Sequence, residues 1–150
     1  MPTATYAGVI QAPPEEVFAF VADAENNPAW HEHVRETRWI DDGPTRLGRR
    51  GRQLGHLWGR DWKFVAEVAE WDPPNRVAFQ VIDGFRVRTS ISVAAAGAGA
   101  SLVTLTVRTP RIPGPGVDAF ASRLIKFVTR DRENGDLRRL REAIERPAAR

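Results

Sequence analysis

The sequence contains no cysteine, which excludes disulfide bonds, a thiol nucleophile and a cysteine-ligated metal site. No apolar run approaches about 18 residues, so we expect no membrane-spanning helix. The N-terminus lacks the basic and apolar pattern of a secretory signal. These absences together favour a cytoplasmic protein.

Lysine is almost missing, because Lys63 and Lys126 are the only two, and the net charge of +3 therefore depends on arginine. A charge this small on a chain with 27% charged residues gives little attraction for a polyanion. We therefore expect no nucleic-acid partner. The length of 150 residues is that of a single domain, placed at residues 1–150, which can bury a core or enclose a cavity.

Seven segments have the residue alternation, or the β-branched and aromatic content, of strands. They are Thr3–Gln11, His33–Ile40, Leu47–Leu57, Asp61–Trp71, Val77–Val81, Phe85–Val93 and Leu102–Arg108. Between the first two, one short helix opens at Pro13-Pro14-Glu15-Glu16. Asp23 caps a second, which Asn26-Asn27-Pro28 is expected to interrupt before Trp30.

The C-terminal segment Gly116–Glu145 contains no proline and predicts one helix of about 45 Å. Its first apolar face, which includes Phe120, Leu124 and Phe127, continues into polar residues at Asp131 and Asn134. A second apolar seam follows, rotated by roughly 100°, at Leu137, Leu140 and Ile144. Such a helix needs a broad sheet to lie across. The order of elements therefore predicts an α+β fold in which a curved, antiparallel, seven-stranded sheet packs against two short helices and the long C-terminal helix.

In the order and spacing of several short motifs, the chain resembles the SRPBCC superfamily, whose helix-grip fold is shared by START lipid-transfer domains and polyketide cyclase/dehydrases. The resemblance covers almost the whole chain, and each motif alone is weak. The motifs are Ile10-x-Ala12-Pro13-x-x-x-Val17-Phe18, Asp23 with Pro28-x-Trp30-x-x-x-Val34, Leu47-Gly48 with Arg50, Gly59-Arg60, Glu67-Val68-x-Glu70-x-x-Pro73-Pro74, and Asp136-Leu137-x-x-Leu140-x-x-x-Ile144-Glu145. The resemblance implies a cavity between sheet and helix for a hydrophobic small molecule.

Arg50, Arg52 and His56 are the candidate catalytic residues. By the strand period of two they share a face with Leu54, whereas Arg49 shares the opposite face with the glycines of that strand. If Leu54 points inward, an arginine there would stabilise an enolate oxygen and the histidine would move protons. The alternative is that all three face solvent, because a buried unpaired charge is costly.

The candidate ligand-binding residues are apolar side chains expected to face the cavity, together with two polar residues on the same helix face. They are Trp30, Phe64, Phe79, Phe120, Leu124, Phe127, Asp131 and Asn134. The alternatives are that Trp30 packs the short helices against the sheet, and that Asp131 and Asn134 are solvated or that Asp131 pairs with Arg50. Because His31 and His33 lack a nearby carboxylate ligand set, we expect no metal site.

The first functional hypothesis is a polyketide cyclase/dehydrase-like enzyme, which the resemblance implies would catalyse aldol-type ring closure with loss of water and without a cofactor. The second is a non-catalytic carrier or sequestering protein for a lipid, quinone or polyketide-like molecule. The third is a partner-binding module that uses its tryptophans. The oligomeric state stays open, with a homodimer among the alternatives.

Overall fold

The computed structural model describes residues 3–31, 34–57, 59–83, 86–108 and 135–145. The strands are β1 (Thr3–Ile10), β2 (Val34–Trp39), β3 (Arg50–Leu57), β4 (Arg60–Asp72), β5 (Arg76–Val81), β6 (Arg88–Ala95) and β7 (Ser101–Arg108). The helices are α1 (Pro14–Ala22), a short 3₁₀ helix named η1 (Ala24–Ala29) and α2 (Leu137–Glu145). Within these ranges no helix is both long enough and apolar enough to cross a membrane.

All seven strands form one antiparallel sheet in the order β1-β7-β6-β5-β4-β3-β2. The six consecutive strands from β2 to β7 pair with their chain neighbours, as expected for a succession of hairpins. β1 pairs with β7, so β1 and β2 form the two edges. The predicted α+β class and the seven-stranded antiparallel sheet are confirmed.

Several predicted boundaries are wrong. β3 begins at Arg50 instead of Leu47, because Gly48 has a φ of 85°, a turn conformation that glycine adopts readily. β6 begins at Arg88 instead of Phe85. η1 continues through Pro28 to Ala29, since in so short a helix the proline removes only one backbone hydrogen bond. Of the predicted long helix the structure describes the final part, and residues 116–134 lie outside the described ranges.

The sheet has an inner face, against which α1, η1 and α2 pack, and an opposite outer face. Gly8 lies on the inner face of β1, where a Cβ atom would meet Leu137 and Arg141 of α2 at 3.6 Å. On β3 the inner face includes Gln53, whose Oε1 is 3.5 Å from Nδ2 of Asn27 in η1. Strand pairing then extends this assignment to every strand, because paired residues share a face.

The core fills the space between part of the inner face and the helices. α1 begins with Pro14 and two glutamates in its first turn, which suits a helix start, and it buries Val17, Phe18 and Val21. α2 buries the predicted seam of Leu137, Leu140 and Ile144. The sheet contributes Val68, Val77, Ile91, Val93, Val103 and Leu105, each no more than 3% exposed.

Candidate functional site

Charge is segregated between the two faces of the sheet. Among the described strand residues, the acidic and basic side chains lie on the outer face by strand register, with two exceptions: Arg60, at the end of the β3–β4 hairpin, and Arg35, which lies in the β2 bulge and has no register partner. A bulge between Val68 and Glu70 shifts the alternation in β4, so that Trp71 remains on the inner face and Glu70 on the outer face. The inner face is therefore a surface on which an uncharged, apolar molecule can lie.

One part of the inner face is less covered than the rest. Ala66 lies opposite Val81 in the β4–β5 ladder, and Phe79 lies two residues before Val81. Together with Phe64 these side chains form a contiguous patch, here called the apolar floor, and all four are only half-buried. Trp62, 40% exposed, continues the patch to the hairpin end, where Arg60 lies 5.6 Å from its ring. Apolar surface left partly uncovered beside a closed core is typical of a ligand pocket.

Trp30 is fully buried in the core and stacks on His31 with ring centroids 3.6 Å apart. This burial agrees with the packing alternative, and contact between Trp30 and a ligand stays a prediction. Its Nε1 atom has no hydrogen-bond partner among the described residues, and the same holds for the buried Oγ1 of Thr37. Neither atom is exposed to an open space.

The structure brings together a buried pair that the sequence did not suggest. Nδ1 of His31, just after η1, lies 3.1 Å from Oδ2 of Asp136, just before α2. The two side chains are only 9% and 3% exposed, and Oδ1 of the same carboxylate accepts a hydrogen bond from Arg139 at 3.3 Å. The only signal in the sequence was proximity to family motifs, since His31 follows Trp30 and Asp136 opens the C-terminal motif. Because the two residues are 105 positions apart, their contact could not be predicted from the sequence.

Arg50, Arg52 and His56 lie on the outer face, which corrects their assignment to the catalytic site. Nε of Arg50 donates to Glu67 at 2.9 Å, and Nδ1 of His56 is 2.8 Å from Asp61. The hydrogen bond with His56 holds the pKa of Asp61 below its ordinary value. Arg52 is exposed. The solvent-facing alternative is realised because the outer face lets these charges remain hydrated.

Arg49, one residue earlier, is the buried arginine of this region, at 7% exposure. Its guanidinium stacks 4.0 Å from the Trp39 ring, and its Nε lies 3.2 Å from Oδ1 of Asp41. It lines a pocket of about 580 Å³ between α1 and the β2–β3 connection. Trp39 also donates from its Nε1 to Asp23 at 3.0 Å. The polar groups of this pocket are thus largely engaged with one another.

The remaining predicted ligand-binding residues lie outside the described ranges. They are Phe120, Leu124, Phe127, Asp131 and Asn134. Phe64 and Phe79 are on the inner face, as their prediction required, and their contact with a ligand stays a prediction. Within the described ranges no three acidic or histidine side chains come together as a set of metal ligands.

Residues 1–145 match the protein family described as polyketide cyclase / dehydrase and lipid transport. No curated protein matches the sequence. Solved structures with the same fold include an aromatase/cyclase from a Streptomyces species, with a TM-score of 0.79 and 14% identity over 98% of this chain and 95% of that one. A Thermus thermophilus protein gives a TM-score of 0.76 at 22% identity, covering 96% and 97% of the two chains.

The di-domain ARO/CYC protein BexL has a TM-score of 0.75 and 20% identity over 97% of this chain, which spans 47% of that longer protein. A START superfamily protein from Mycobacterium smegmatis, at 16% identity, has a TM-score of 0.69 and covers 95% and 97% of the two chains. At these identities the structural likeness establishes the fold alone. The family match nevertheless spans nearly the whole sequence, and the sheet and packed helices have the helix-grip arrangement. The chain therefore belongs to the polyketide cyclase / dehydrase and lipid transport family.

Proposed function

We propose that this protein binds a hydrophobic small molecule against the apolar floor and acts as a carrier or sequestering protein. The observation that carries the proposal is the segregation of charge, since Phe64, Ala66, Phe79 and Val81 are half-buried on a face where, among the described strand residues, register places only one charge, Arg60 at the hairpin end. An apolar molecule placed there gains contact without desolvating a charged group. The family description, which includes lipid transport, supports the same class of ligand.

Catalysis by the arginine and histidine of β3 receives no support from the geometry. An enolate bound at the inner face would be separated from Arg50 and His56 by the sheet itself. A carrier needs only apolar contact and closure from water, whereas a cyclase needs a group that moves protons at the reacting carbon. Away from the hairpin end, the described part of the sheet's inner face supplies the apolar contact that a carrier needs. The polar side chains that it offers for moving protons are all uncharged.

The experiment compares two neighbouring residues of β4 whose side chains lie on opposite faces. Phe64→Gln places an amide on the apolar floor, and Val65→Gln places the same group on the outer face. Binding is measured by titrating a fluorescent long-chain fatty acid into each purified variant. We expect Phe64→Gln to weaken binding about tenfold, because roughly 1–2 kcal/mol of apolar contact is lost.

Val65→Gln and Arg50→Ala serve as controls and should bind like the wild type. Native mass spectrometry of protein purified from its own host then identifies a co-purified ligand. Equal affinities for the Phe64→Gln and Val65→Gln variants would reject the apolar floor as the binding surface. No binding of fatty acid, quinone or aromatic probes by the wild type would reject the function itself.

Aldol-type cyclisation with loss of water remains the second candidate. It is favoured by one observation in the structure, the buried His31–Asp136 pair on the helix side of the sheet, and by the aromatase/cyclases among the proteins of similar fold. The test is incubation with a poly-β-ketone thioester, followed by mass spectrometry for a dehydrated cyclic product. Turnover that His31→Asn abolishes, while fatty-acid binding persists, would establish this function. Absence of turnover by the wild type would eliminate it.

A further inference from the structure

The two edges of the sheet differ in how they are protected against pairing with another chain. β2 carries Arg35, Glu36 and Arg38 and has a bulge between Val34 and Glu36. Charged side chains and bulges are the usual devices that prevent edge-to-edge association. β1, with the sequence TATYAGVI, contains no charged residue and no proline, and it pairs with β7 without a bulge.

The direction of the β1 backbone groups follows from two contacts with α2. The carbonyl of Val9 accepts a hydrogen bond from Nε of Arg141 at 3.1 Å, and the amide of Gln11 donates to Glu145 at 3.1 Å. Both groups therefore point away from β7. Because outward-pointing residues alternate along an antiparallel strand, Thr5 and Ala7 also direct their N–H and C=O groups to the open edge.

α2 thus covers one end of the edge and leaves its middle uncovered. Within the described ranges no backbone hydrogen bond from Thr5 or Ala7 crosses the edge, and both residues are exposed. A strand with unpaired donors and acceptors is a template for another strand. Uncharged side chains add no repulsion between two identical strands, although the whole chain carries a net charge of +3.

We propose that β1 is a homodimer interface in which two copies of the strand pair antiparallel about a two-fold axis at Tyr6. Thr5 of one copy then faces Ala7 of the other, and each such pair exchanges both of its backbone hydrogen bonds. This arrangement is self-complementary, as a two-fold interface must be. The two Tyr6 residues form a non-hydrogen-bonded pair on the inner side. The contact is small, so the dimer forms weakly and in a concentration-dependent manner. It does not depend on the proposed ligand binding.

The absence of cysteine from the sequence makes a cross-linking test clean. In a non-hydrogen-bonded antiparallel pair the Cα atoms lie about 4.5 Å apart, within the range of roughly 4.4–6.8 Å for a disulfide. Tyr6→Cys should therefore form a covalent dimer under mild oxidation of the full chain. Ala94→Cys, exposed on the outer face of β6, should not do so at the same concentration.

Sedimentation equilibrium provides the second measurement. The wild type should show an average mass that rises with concentration, and Ala7→Pro should remain a monomer, because proline removes the outward N–H group and is tolerated on an edge strand. Circular dichroism checks that the Ala7→Pro variant is folded. If it is not, cross-linking of the Tyr6→Cys variant alone tests the proposed interface. A wild type that stays monomeric up to its solubility limit would overturn the proposal. So would a dimer that neither cross-links through Tyr6→Cys nor responds to Ala7→Pro, since its interface would lie elsewhere.

Discussion

Replacing Asp136 with asparagine is expected to weaken the docking of α2 on the rest of the fold. The carboxylate lies 3.1 Å from Nδ1 of His31 and 3.3 Å from Nη1 of Arg139, and its side chain is only 3% exposed. Asparagine keeps the shape and removes the charge. Since hydrogen bonds to charged groups contribute about 1.5–3 kcal/mol and a broken buried pair costs about 3–5 kcal/mol, we expect a loss of about 2–4 kcal/mol in the free energy of unfolding.

The single variant does not isolate the contact with His31, because both residues take part in further interactions. A double-mutant cycle with His31→Asn separates the pairwise contribution, which we expect to be about 1.5–3 kcal/mol. Arg139→Gln is the control. The arginine side chain is 31% exposed, so its removal should cost about 1 kcal/mol or less.

The assay is urea unfolding followed by tryptophan fluorescence, with circular dichroism as a second probe. Trp30 stacks 3.6 Å from His31 and reports directly on this region. Coincident transitions by the two probes establish that unfolding is two-state, which the cycle requires. A coupling energy below about 0.5 kcal/mol would contradict the reasoning, because the His31–Asp136 contact would then add nothing to the anchoring of α2.

Three further predictions concern stability. Leu140→Ala should lower the free energy of unfolding by about 2–5 kcal/mol because Leu140 is fully buried, while exposed Glu142→Ala on the same helix should change it by less than about 0.5 kcal/mol in the same urea assay. Val68→Ala, also at a fully buried position, should cost about 2 kcal/mol and leave fatty-acid affinity unchanged. The hydrogen bond from Arg76 holds the pKa of Glu70 below its ordinary value of 4.5, so this carboxylate stabilises the fold above its unfolded-state pKa and loses that effect as pH falls through the folded-state value. Glu70→Gln should therefore be less stable than the wild type at neutral pH, by under about 1 kcal/mol at this part-exposed site, and the difference should vanish in acid.

The fold could be predicted because the strands and the helix seam depend on local periodicity. The alternation in β1 and the spacing of Leu137, Leu140 and Ile144 correspond directly to the burial in the structure. The predicted start of β3 is less accurate, because the positive φ of Gly48 interrupts the extended conformation and the strand begins only at Arg50.

The orientation of β3 could not be predicted from alternation alone. Leu54 is the only large apolar residue in its interior, and it stands among arginines. The structure turns the glycines inward, where a Cβ on Gly51 would lie 3.3 Å from the carbonyl oxygen of Arg38. The backbone of the adjacent strand β2 thus lies close to Gly51. This close approach, together with the free-energy cost of burying Arg50 and Arg52, determines which face of β3 points inward. The same choice places Arg49 in the interior beside Trp39, a position that pattern reasoning assigned no role.

The inner face of β4 separates stability from binding within a few residues. Val68 lies beneath the helices and is fully buried, whereas Phe64, four positions earlier on the same face, belongs to the half-buried apolar floor. A completely packed sheet would leave no surface for a ligand, and a completely open one would not hold the helices in place. The packed part of the inner face already buries the core around α1 and α2. Folding therefore does not require the apolar floor to be fully covered, and a bound molecule can bury it instead. Affinity and stability should therefore respond to different substitutions on one strand, with binding sensitive at Phe64 and folding sensitive at Val68.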